Sequence, residues 1–206
     1  MDGLILVDLQ HDFMPGGALP VVDGDATVPV ANSLAGRFET VVATRDWHPA
    51  NHGSFVTAHQ DLAVGDLTTL GGLEQIVWPV HCVQETRGAA FHNDLDMTQI
   101  DEIISKAIDP DIDSYSTFFD NGHRRATGLE TYLRNRSIDR IYILGLATDY
   151  CVKYTALDAR QLGFEAWVVE DGCRGVNLKP GDVDAALQEM RDAGIGMIQS
   201  GELLGS

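Results

Sequence analysis

The sequence predicts an α/β fold: a three-layer, doubly wound, mostly parallel sheet with helices on both faces. Short apolar runs recur near 3–8, 40–44, 102–106, 140–145, 165–170 and 196–199, as strands buried on both faces require. Helical patterns near 24–37, 125–136, 149–162 and 181–193 separate several of them, so strand and helix alternate as in βαβ crossovers. The length, 206 residues, suits one such domain with a sizeable core and is short for two. A single domain over 1–206 is therefore expected.

The elements follow in order. Gly3-Leu-Ile-Leu-Val-Asp8 is a short β-rich run, and Thr40-Val-Val-Ala-Thr44 is the second. Glu102-Ile-Ile-Ser-Lys106, Arg140-Ile-Tyr-Ile-Leu-Gly145, Glu165-Ala-Trp-Val-Val-Glu170 and Gly196-Met-Ile-Gln199 continue the series. The last long helix opens at Pro180-Gly-Asp182 and closes at Gly194, ordinary start and stop signals. Residues 47–100 break the rhythm: they are rich in Pro, Gly, His and Asn and lack clean periodicity. Such segments in compact domains are functional or disordered. The clusters Trp47-His48, His52-Gly-Ser-Phe55 and Trp78-Pro-Val-His81 favour function.

A net charge of −17, with three lysines in all, would repel nucleic acid and anionic lipid, which excludes both as partners. The acidity reads as a well-solvated surface, with adaptation to high salt as the sharper alternative. No apolar run reaches a membrane span. Asp2 and Asp8 stand where a signal peptide needs basic and then apolar residues, so a cytoplasmic location is expected. Cys82, Cys151 and Cys173, odd in number and without a C-x-x-C, argue against a disulfide framework.

In open α/β sheets, ligands bind outside the carboxyl ends of the strands. That rule selects Asp8, Arg45-Asp46-Trp47-His48, Lys106 and Ala147-Thr148-Asp149-Tyr150-Cys151. Cys151 precedes a helical pattern (Val152, Thr155, Ala156, Ala159, Leu162) that Thr148 or Asp149 could cap. That would place it in a first turn, where free N–H groups favour a thiolate and can hold an oxyanion. Taken alone, Cys151 reads equally as a small buried hydrophobe, Asp8 as a turn cap and Lys106 as a surface lysine. Together they make a nucleophile, a proton shuttle and a cation that tunes both. Asp46-x-His48 with His81 offers a carboxylate and two imidazoles, the chemistry of an open catalytic metal site. His52 and Cys82 are further candidate ligands. His11, His59, His92 and His123 read as loop residues.

Several blocks in order resemble the nicotinamidases of the isochorismatase-like hydrolase superfamily. They are Asp8-Leu-Gln-His-Asp-Phe13-Met-Pro-Gly-Gly17, Thr44-Arg-Asp-Trp-His-Pro-Ala-Asn-His-Gly-Ser-Phe55, Trp78-Pro-Val-His-Cys82, Lys106, Tyr115-Ser-Thr-Phe118 and Gly145-Leu-Ala-Thr-Asp-Tyr-Cys-Val152. The resemblance spans nearly the whole chain. It implies conversion of nicotinamide to nicotinate and ammonia, as in NAD salvage, through a Cys151–Asp8–Lys106 triad. It implies one divalent ion on Asp46, His48 and His81, zinc first, with manganese or iron as alternatives. It also implies a non-proline cis peptide at Leu146–Ala147, an oxyanion hole from the N–H groups of Ala147 and Cys151, and pocket walls from Phe13, Trp78 and Tyr115. The substrate is a small amide, nicotinamide and also pyrazinamide; a homo-oligomer is left open. His52 and Ser54 both lie where members of the family differ in the metal shell, and the stretch 107–114 is unusually acidic. Two rival readings stand: a related hydrolase acting on another small amide or a vinyl ether, or a metal- and thiol-bearing module without turnover.

Overall fold

The computed structural model describes residues 1–205. Six strands form one sheet: β1 (Asp2–Val7), β2 (Val41–Asp46), β5 (Glu102–Lys106), β6 (Arg140–Leu146), β7 (Glu165–Arg174) and β8 (Gly196–Ile198). Their order is β5-β2-β1-β6-β7-β8, and every pairing is parallel. Leu4, Ile5, Leu6 and Val7 of β1 are all buried, which is why the strand reads as an unbroken apolar run instead of an alternation. Each such side chain is worth roughly 1.5–3 kcal/mol of burial, and the sheet is the chief source of the core.

Five helices accompany the sheet: α1 (Thr27–Ala35), α2 (Leu129–Asn135), α3 (Lys153–Gln161), α4 (Asp182–Asp192) and α5 (Ser200–Leu204). α1 and α5 pack on each other and on β7, while α3 packs on β7 and on α4. This is the doubly wound architecture expected. Two elements escaped the sequence reading. A small antiparallel hairpin, β3 (Leu67–Leu70) with β4 (Leu73–Ile76), stands inside the irregular region, and α5 is a single short turn of helix.

The chain runs outward from β1 through β2 to β5, then returns to place β6 on the other side of β1. This reversal between β1 and β6 is the point where open α/β sheets bind ligands. Gly145 permits the close approach there: its φ is +126°, and a Cβ would collide with the carbonyl oxygen of Val7. Residues 47–100 fold back over the same end through isolated bridges, His48 with Val83, Phe55 with Trp78 and Gln10 with Phe91.

Candidate active site

Asp8 follows β1 directly, in a left-handed conformation with φ +52°. Its carbonyl accepts from Gln10 N, but its carboxylate turns inward. Thr44 Oγ1 donates to Asp8 Oδ1 at 2.8 Å, and Lys106 Nζ faces Asp8 Oδ2 at 3.0 Å. Lys106, 1% exposed at the end of β5, also donates to Asp46 Oδ1, to Ser114 O at 3.0 Å and to Cys151 Sγ at 3.4 Å. The ammonium thus sits among two carboxylates and the thiol. The Asp8 carboxylate does not cap the following turn, and Lys106 is not a surface lysine.

Cys151 does not sit in the first turn of an α-helix. It lies in a π-helical turn, Thr148–Val152, that runs into α3, and no side chain caps that turn. The Asp149 carboxylate is engaged elsewhere, accepting from Val176 N at 2.9 Å and Asn177 N at 2.7 Å. The peptide Leu146–Ala147 is cis.

The electrostatics differ from the expectation of a thiolate. Burial, only partly offset by Lys106, pushes the Cys151 thiol well above its ordinary pKa. The resting nucleophile is therefore a thiol. Burial also raises Asp8 to about 6 against the pull of Lys106. Burial disfavours the charge on Lys106, but Asp46, Asp8 and Cys151 outweigh it and hold the ammonium well above the usual lysine range. A carboxyl near 6 is mostly ionised at neutral pH and so available to accept the thiol proton.

Asp46, His48 and His81 converge as the spacing suggested. Their ligand atoms lie within 4.8 Å of one another, with His48 Nε2 3.7 Å and His81 Nε2 3.9 Å from Asp46 Oδ2. His81 Nδ1 bonds the Pro79 carbonyl at 2.8 Å. A carbonyl only accepts, so Nδ1 carries the proton and the Nε2 lone pair faces Asp46. Burial and the neighbouring His48 lower His81 to about 4, leaving it neutral. Burial would raise Asp46, but Lys106, His48 and His81 hold it below the usual carboxylate range. One carboxylate and two imidazoles so disposed fit a divalent transition metal. Cys82 is buried outside the donor clusters among the described residues, and His52 and Ser54 bond each other at 2.8 Å.

A cavity opens onto Cys151, Asp46, His48 and His81, walled by Phe13, Leu19, Trp78, Tyr115, Tyr150 and Val176. A second hollow beside β5, lined by Ala107, Ile108 and Thr127 among others, contains no cysteine or histidine. Trp78 Nε1 donates to Tyr115 Oη at 3.1 Å, which fixes two walls together.

Several supporting residues were missed. Gln10, fully buried, donates to Asp46 O and accepts from Asp46 N, both within 2.8 Å. Asp12 Oδ2 accepts from Cys82 N at 2.7 Å, which pins the residue beside His81. Gln75 of β4 donates to Asp113 Oδ2 at 3.0 Å and Tyr115 Oη at 3.1 Å. Each acts on a partner more than thirty residues away, so no local pattern marked it.

The isochorismatase domain matches residues 2–202. The chain belongs to the isochorismatase family. Among its relatives in that family is a nicotinamidase of Escherichia coli, 51% identical over 93% of this chain and 91% of the relative. A solved nicotinamidase/pyrazinamidase of Acinetobacter baumannii superposes with a TM-score of 0.95 at 45% identity, over 98% and 97% of the two chains. A pyrazinamidase of Pyrococcus horikoshii, solved with zinc, matches at a TM-score of 0.78 and 44% identity over 96% and 98%. This isochorismatase-family chain thus spans nearly the full length of relatives that share its fold.

Proposed function

We propose that the chain hydrolyses nicotinamide to nicotinate and ammonia through a thioester on Cys151. The observation that carries this is the meeting of Asp8, Lys106 and Cys151 in one aromatic-walled cavity with Asp46, His48 and His81. Relatives named as nicotinamidases over nearly the whole chain support the substrate.

Cys151 Sγ attacks the amide carbon while Asp8 takes the thiol proton. Lys106 offsets the charge on both. The N–H groups of Ala147 and Cys151 stabilise the oxyanion, a device worth several kcal/mol in related chemistry, about 2.7–4 for one donor. As the tetrahedral centre collapses the C–N bond breaks, and Asp8 returns its proton so that ammonia leaves. Asp8 then draws a proton from water, the hydroxyl adds to the thioester carbon, and the C–S bond breaks. The proton returns to sulfur and nicotinate departs. Phe13, Trp78 and Tyr115 hold the flat ring. Asp46, His48 and His81 would hold one divalent ion, zinc ahead of manganese or iron. Bound there, it supplies a Lewis-acid anchor for the ring nitrogen, directly or through a water.

A cavity that reads a flat ring and a carboxamide should accept pyrazinamide too. Three free cysteines among the described residues support a reducing, cytoplasmic setting, and no helix among those residues is long and apolar enough to cross a membrane. The test is ammonia release from nicotinamide by zinc-loaded protein, with Cys151→Ala as control. Absence of ammonia from the unaltered chain overturns the reading.

A further inference from the structure

We propose that Asp113 is the carboxylate that orients the metal-facing ring of His48, and that His52 is a second donor to the same carboxylate. The proposal rests on the metal reading of Asp46, His48 and His81.

Two buried ring nitrogens need acceptors. His52 Nδ1 lies 3.2 Å from Ser54 N. A backbone amide only donates, so Nδ1 is the acceptor and Nε2 of the neutral ring carries the proton. That Nε2 is buried and makes no hydrogen bond of good geometry, with the Ile112 carbonyl as the other acceptor near the ring. His48 directs Nε2 toward Asp46 Oδ2 at 3.7 Å. With Nε2 given to a metal, its Nδ1 must carry the proton, and Nδ1 is also buried without a partner. The two rings stand 4.4 Å apart, tilted by 56°.

Asp113 faces both. One ligand atom from each of His48, His52 and Asp113 lies within 4.8 Å of the others, and Asp113 is 3% exposed. A carboxylate offers roughly four lone-pair directions. Ser114 N takes one on Oδ1 at 2.8 Å, and Gln75 Nε2 takes one on Oδ2 at 3.0 Å. Two remain for two imidazole protons, directly or across one bridging water. The donor count closes.

This arrangement also settles which shell His52 joins. It clusters with His48 and Asp113, not with Asp46 and His81, and its other nitrogen is engaged by Ser54. His52 is therefore a positioning residue, not a ligand. Gln75 extends the same network to Tyr115 Oη at 3.1 Å, so the hairpin β3–β4 ties the metal face to the ring-binding wall. Carboxylates behind metal-ligating imidazoles fix the tautomer and raise ligand basicity, and their loss weakens metal binding roughly 10- to 100-fold.

The experiment is zinc affinity, measured by competition with a chromophoric chelator, for the unaltered chain, Asp113→Asn and Asp113→Glu. The Asn variant should bind zinc roughly 10- to 100-fold more weakly, and Glu should recover part of the loss. The Tm of the metal-free proteins and the alkylation rate of Cys151 should be alike. Equal zinc affinity in Asp113→Asn overturns the proposal. Failure of the unaltered chain to bind zinc overturns the metal reading beneath it instead. Should the Asn variant not fold, ¹⁵N-edited NMR of the zinc-loaded unaltered chain decides. A strongly downfield His48 Nδ1 proton, as donation toward a carboxylate gives, supports the assignment, and a shift ordinary for an imidazole N–H without a charged acceptor sinks it.

Discussion

Lys106 donates to Asp46 Oδ1 while it faces Asp8 Oδ2 at 3.0 Å and Cys151 Sγ at 3.4 Å. One ammonium thus belongs to both the proton-shuttling carboxylate and the metal-facing one. Replacing it with an apolar side chain strands two buried carboxylates, and breaking a buried pair costs about 3–5 kcal/mol. Lys106→Met should therefore lose turnover and also lower the stability of the metal-free protein by that order in urea unfolding. Wild-type stability would show that the carboxylates share their charge with other groups.

Cys151→Ala should abolish turnover with the fold retained, because a small residue fits the π-helical turn. Asp8→Asn should be as damaging. Members of a catalytic unit are strongly non-additive, so the double variant should lose little more than either single one. An Asn variant with a tenth of normal activity would demote Asp8 to a structural role.

The acid limb of kcat/KM reports Asp8. Burial raises its carboxyl from 3.8 to about 6, and only the ionised form can take the thiol proton. The rate should fall about tenfold per pH unit below that value. The effect on stability has the opposite sense. A carboxyl whose folded pKa is raised contributes stability that is full below 3.8 and is lost as pH rises through about 6. A flat kcat/KM profile between pH 5 and 7 would remove Asp8 from the proton path.

Chelation should suppress nicotinamide hydrolysis, and zinc, manganese or iron should restore it. His48→Ala should chiefly raise KM. Benzamide, which lacks the ring nitrogen, should be a poor substrate and lose little more in that variant. Cys151 alkylation should persist without metal; its collapse with the fold intact would place the ion in the nucleophile's machinery.

The net charge of −17 makes the surface repel itself. The screening length shrinks from about 10 Å at 0.1 M salt to about 3 Å at 1 M, so Tm should rise with sodium chloride over that range. A Tm independent of salt would mean that the negative charges are already locally compensated.

The inner strands were legible because both of their faces are buried: the runs at 3–8 and 140–145 needed only apolar content to reveal β1 and β6. The strand-end rule then found Asp8, Asp46, Lys106 and Cys151. The hairpin β3–β4 was not legible, since its side chains are mostly exposed or part-exposed, half of them polar, and show neither apolar period. The π-helical turn around Cys151 follows from how β6 enters it and has no residue signature. Gln10, Gln75 and Asp113 act on partners 36 to 38 residues away, a distance over which local patterns carry no information. Asp149 looked like a cap because the sequence could not show the 175–177 loop arriving at its carboxylate.

The strand order has a consequence for how the molecule fails. Lys106, Asp46 and Asp8 end or follow β5, β2 and β1, and Cys151 follows β6, four adjacent strands, while β7 and β8 lie to one side. Fraying of β8 and α5 can exchange their amide protons with solvent and leave the reacting groups in register. Opening the four-strand block dissolves the constellation and the centre of the core in one event. The catalytic geometry should therefore share one cooperative unit with the buried strands β1 and β6, and heat should erase activity only as that unit melts.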